Sequence, residues 1–64
     1  MQVTKANVDI LKPGMVVEVE GEKKIFLKRG INKYQLYFKS TDKKKVGKFF
    51  VDLDLRTPLI VIKG

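Results

Sequence analysis

The sequence predicts an all-β domain, a small barrel of five to six strands. Two observations carry that expectation. Apolar residues fall at alternate positions, the period of a half-buried strand, and no window holds a sustained i, i+3, i+4 apolar stripe. Glycine-bearing or polar turns interrupt the pattern at short, regular intervals. A chain of 64 residues makes one domain, residues 1–64, and it gains from closure because a barrel leaves little strand edge open.

The elements follow in order. Gln2 to Lys5 is compatible with a short strand and Asn7 to Lys12 with one brief helical turn. Pro13-Gly14 marks a turn, after which Met15, Val17 and Val19 alternate with Val16, Glu18 and Glu20. Glu20-Gly21-Glu22 reads as a tight connection into a strand over Lys23 to Lys28. Gly30 to Lys33 is a loop, Tyr34 to Lys39 a strand, Ser40 to Gly47 a polar, lysine-rich loop, and Lys48 to Leu53 a further strand. Asp54 to Thr57 reads as a short turn, Pro58 suits a strand's first residue, and Leu59 to Ile62 closes the chain as a strand. Strands of this number and spacing suggest an SH3-like barrel, with an OB-like barrel as the alternative.

Charge is unevenly placed. Of the fourteen basic residues, ten lie between Lys23 and Lys48, facing one acid, Asp42, in a chain of net charge +7. A field concentrated on one part of a small domain attracts polyanions, so nucleic acid is the first partner to consider. The chain has no cysteine and no histidine. That removes disulfides, thiolate metal sites, the commonest metal ligand and the commonest general base near neutral pH. Thr4, Ser40, Thr41 and Thr57 have no evident activating base, and the paired carboxylates Asp52 and Asp54 have no histidine or cysteine beside them, Asp52 reading instead as a partner for a nearby lysine. The expectation is no enzymatic activity, no cofactor and no metal. The longest apolar run, Leu59 to Ile62, is too short to span a bilayer, and no secretory signal opens the chain. The expected location is therefore intracellular, the cytoplasm of a cell or of a virus's host, with no membrane partner.

Loop lengths suggest a register. With Arg29 opposite Tyr34, Leu27 faces Leu36 and Ile25 faces Phe38 on an apolar side, while Phe26 falls opposite Tyr37 and Lys24 opposite Lys39 on the other. With Lys39 opposite Lys48, Phe38 meets Phe49, Leu36 meets Val51 and Tyr34 meets Leu53 inside, and Tyr37 meets Phe50 outside. Both hairpins choose the same interior, which matters because a one-residue slip turns every side chain over. The outer face then carries a row Phe26–Tyr37–Phe50 flanked by Lys24, Lys28, Lys39 and Lys48. Rings among lysines suit nucleic acid: bases stack on the rings of a single-strand binder while ammonium groups neutralise phosphates, and on a duplex the rings wedge between base steps. The same row has a structural reading, as a minor second core, a dimer contact or a self-stabilising aromatic ladder.

Lys43, Lys44 and Lys45 read either as a phosphate clamp that tracks a backbone without reading sequence or as a solvated loop tip. Glu18, Glu20 and Glu22 share one strand face; they are spaced too widely to hold a hard cation unaided and read as a solvated surface.

Residues Asn7 to Glu22, with the turn Leu11-Lys12-Pro13-Gly14 leading into an alternating strand and a Gly21-Glu22 turn, resemble the opening of the SH3-like, KOW-type N-terminal domain of elongation factor P and its relatives. Gly47-Lys48-Phe49-Phe50 is loosely similar to that domain's closing hairpin. The resemblance implies the barrel fold. It transfers no functional residue, because the chain lacks the Pro-Gly-Lys-Gly-like loop whose lysine is modified in that family.

The expected function is non-enzymatic nucleic-acid binding, to DNA or RNA, through Lys24, Phe26, Lys28, Tyr37, Lys39 and Phe50, supported by Lys43, Lys44, Lys45 and Lys48. Two arginines and few side-chain amides leave little for base-edge recognition, so sequence selectivity is expected to be low. The alternative is a protein–protein module that uses the same face to dock an acidic protein or a second copy of the chain. A translation-related module is a third reading, drawn from the resemblance.

Overall fold

The computed structural model describes residues 1–53 and 59–63. A 3₁₀ turn, Val8–Ile10, precedes five strands: β1 (Val16–Val19), β2 (Glu22–Arg29), β3 (Gln35–Ser40), β4 (Phe49–Asp52) and β5 (Leu59–Lys63). All pairings are antiparallel, in one sheet ordered β4-β3-β2-β1-β5. Four strands form a meander and the fifth returns beside the first, the order of an SH3-like barrel. The Gln2 to Lys5 strand reduces to one bridge, Gln2 with Ile60, supported by the bonds Val3 N–H to Leu59 O and Val61 N–H to Met1 O. The helical turn within Asn7 to Lys12 is the 3₁₀ turn. The Asp54 to Thr57 turn and Pro58 lie outside the described residues. Among those described, no helix is long and apolar enough to cross a membrane.

Alternation explains the core. Val17 and Val19 of β1, Phe26 of β2, Leu36 and Phe38 of β3, Val51 of β4 and Leu59 of β5 turn to one side of the sheet, where Val3, Val8, Leu11 and Leu53 complete the cluster. Phe26 and Phe38 meet edge to face, centroids 5.6 Å apart at 61°, the geometry that the ring quadrupole favours. Tight turns set the strand ends. Val19 pairs with Glu22, leaving Glu20 and Gly21 as a two-residue loop with φ of 52° and 81°. Positive φ at both positions marks the type I′ turn, whose twist matches that of a hairpin. Because the chain reverses there, Glu22 belongs to the next strand, and the expected single face of Glu18, Glu20 and Glu22 does not form.

The β3–β4 register is as the loop lengths suggest: Leu36 opposite Val51, Tyr37 opposite Phe50, Phe38 opposite Phe49. The β2–β3 register is not. Phe26 pairs with Phe38 and Ile25 with Lys39, whereas Lys28 pairs with Tyr37 and Arg29 with Leu36. Leu27 is the extra residue of a β-bulge between the two ladders. A bulge breaks the period of two, so residues on either side of it obey opposite phases. Arg29 faces inward, as the turn dictates, but Phe26 and Lys24 face inward too, and Ile25 and Leu27 are left half-buried on the outside.

Candidate nucleic-acid interface

The bulge rewrites the outer face. Of the expected row Phe26–Tyr37–Phe50, Phe26 is buried in the core and presents nothing to solvent. Tyr37 and Phe50 remain outside as directly paired neighbours on β3 and β4, centroids 5.2 Å apart and tilted by 50°. Phe50 is 45% exposed, an unusual state for a phenylalanine, and Tyr37 is half-buried beneath it. Lys28, opposite Tyr37 in the ladder, holds its ammonium 5.6 Å from the tyrosine ring centroid, within cation–π reach.

Lys24 also leaves the site. It is 8% exposed, and its Nζ lies 3.3 Å from Glu22 Oε2 and 4.5 Å from the Phe49 ring centroid. A long aliphatic stem lets a lysine cross the edge of a core and keep its charge at the rim, and here a carboxylate and a ring receive that charge. Lys24 therefore has no ammonium to offer a phosphate.

The remaining expected lysines stay in solvent. Lys28, Lys39, Lys43, Lys44, Lys45 and Lys48 are all exposed. Lys39 sits opposite Ile25 on the outer face, one alternate position along β3 from Tyr37. The loop after β3 is shaped by its own side chains: Asp42 N–H donates to Ser40 Oγ at 3.0 Å, Lys44 N–H to Asp42 Oδ1 at 2.9 Å, and Lys45 N–H to Asp42 O at 3.0 Å. Thr41 Oγ1 reaches back to Lys23 O at 3.4 Å, tying the loop to β2. The single acid of the loop is thus engaged by backbone while three lysines project around it.

Among the described residues, hollows open on this face. One, of about 550 Å³, lies between Ile25 and Leu27 of the sheet and residues 39–48, including Val46. Another, of about 430 Å³, lies among Lys28, Ile31, Tyr37 and Lys48. Ile25, Leu27 and Val46 were not among the sequence-derived site residues. The available signals were Val46, a lone apolar residue in a polar loop, and the unbroken run Ile25-Phe26-Leu27, which fits a strand in either phase.

The opposite edge of β2 is anchored to the N-terminal segment. Arg29 Nη2 donates to Val8 O at 3.1 Å and Leu11 O at 2.9 Å, and Nη1 to Lys33 O at 3.1 Å. Leu11 N–H already donates to Val8 O at 3.2 Å, so the guanidinium adds a second donor there and supplies one to Leu11 O, which makes Arg29 a structural residue.

Comparison with protein-family models, with curated proteins and with solved structures returned no match.

Proposed function

We propose that the chain is a non-enzymatic nucleic-acid-binding module of low sequence selectivity. The observation that carries this reading is the outward-facing pair of half-buried Tyr37 and exposed Phe50, set among Lys28, Lys39 and Lys48 on one sheet face, beside a loop bearing Lys43, Lys44 and Lys45. Bases stack on exposed rings with little regard to identity, and flexible ammonium groups follow phosphates without reading sequence. Arg29, the only arginine among the described residues, is committed to backbone carbonyls and offers no guanidinium fork to a guanine edge.

The test is a fluorescence-anisotropy titration with single- and double-stranded DNA and RNA at two salt concentrations. The reading expects binding whose affinity falls steeply with salt, with little difference between unrelated sequences. Absence of binding at low salt, together with a concentration-dependent dimer that masks Phe50, would replace it with the protein–protein alternative.

A further inference from the structure

The larger hollow has the construction of a ligand site. Its volume of about 550 Å³ lies within the range of about 300–1,000 Å³ usual for small-molecule pockets. The bulge at Leu27 turns Ile25 and Leu27 toward it, and the loop adds Val46 at its rim, a residue 95% exposed to solvent. Lys39, Lys45 and Lys48 stand around these apolar walls. The complement of such a site is a flat ligand with apolar faces and an anionic attachment.

We propose that this cleft receives one unpaired nucleobase of a single strand, with the flanking phosphates held by Lys39, Lys45 and Lys48. The assignment rests on the nucleic-acid reading above and narrows it. A base within a duplex has both faces stacked and must be extruded before it can enter a cleft walled by a loop, whereas an unpaired base enters without that cost. The occupant is a polymer because Lys48 also borders the second hollow, where Tyr37 and Lys28 offer a ring and a cation to the next nucleotide. Asp42 shapes the loop beside the cleft through its own N–H, which donates to Ser40 Oγ, and its carboxylate, which accepts from Lys44 N–H.

Methyl NMR of the full chain tests this, following Ile25, Leu27 and Val46 during titration with a deoxyadenosine octamer, an abasic octamer, deoxyadenosine monophosphate and a blunt duplex. The expected result is an upfield ring-current shift of all three residues with the deoxyadenosine octamer alone. Leu27→Thr is expected to weaken octamer binding at least about fivefold while leaving abasic and duplex binding unchanged. If the octamer moves the Tyr37 and Phe50 ring signals and leaves the three methyls still, the cleft is empty and this inference falls, while the nucleic-acid reading stands. Equal methyl shifts with the abasic octamer would likewise overturn it, as a loop response to phosphate. Saturation by the monophosphate at the octamer's concentration would overturn the polymer assignment. No binding to any of the four at low salt would sink both readings.

Discussion

Phe26 and Phe50 show how facing decides the role of a side chain. Phe26 is sealed against Phe38, so Phe26→Ala is expected to cost about 3–5 kcal/mol. That is a large share of the stability of so small a domain. Phe50→Ala removes a half-exposed ring and is expected to cost under about 1 kcal/mol. Urea denaturation of the two variants measures the difference. Arg29 is the second residue on which the fold depends. Arg29→Met strips the hydrogen bonds to Val8 O and Leu11 O and is expected to destabilise by about 2–3 kcal/mol. Amide exchange should accelerate first across residues 8–11. The inward lysine yields a sharper contrast. Lys24→Gln is expected to leave the salt dependence of nucleic-acid affinity unchanged, because Lys24 is paired with Glu22. Lys39→Gln and Lys48→Gln are each expected to flatten the log–log slope by about 0.7 for a single strand.

At the scale of the element, β2 is where sequence pattern and structure part. The β3–β4 pairing could be read from sequence because β3 alternates Leu36 and Phe38 with Gln35, Tyr37 and Lys39, and its register with β4 then fixes the phase of the all-apolar run Phe49-Phe50-Val51. The run Ile25-Phe26-Leu27 alternates with nothing, so an apolar interior is satisfied in either phase and the extra residue leaves no trace in composition. An inward Lys24 was equally hidden, since its burial depends on a ring, Phe49, that only the folded sheet brings near. Most of the candidate face, Tyr37, Phe50 and the solvated lysines, was therefore visible, and the apolar cleft residues Ile25, Leu27 and Val46 were not. Turns allow a direct check of the hairpin geometry. Glu20 holds a φ of 52° without the small polar side chain that tolerates it, so Glu20→Asn is expected to stabilise by about 0.5–1 kcal/mol. In a domain of this size that raises Tm by several degrees. Gly30 works by close approach: a Cβ there would stand 3.0 Å from Gln35 Cβ and 3.3 Å from Tyr37 Cε2. Gly30→Ala is accordingly expected to lower Tm through overpacking of about 1–3 kcal/mol.

For the molecule as a whole, the Cα radius of gyration of 10.6 Å agrees with the value of about 10.7 Å expected of a folded chain this long. The two faces of the sheet divide the labour. One side of the sheet holds the core; the other sets a ring pair and the bulge-exposed aliphatics among lysines. Charge alone would bind a polyanion anywhere on such a surface, so the rings must be shown to matter at constant charge. The decisive measurement is the affinity of the Tyr37→Ala/Phe50→Ala double variant for a single-stranded oligonucleotide, compared with the unaltered chain at two salt concentrations and with folding verified by circular dichroism. A loss of at least about 2 kcal/mol with the salt slope preserved is the predicted result, since each stacked base contributes at least about 1 kcal/mol. A folded double variant that binds as tightly as the unaltered chain would contradict it.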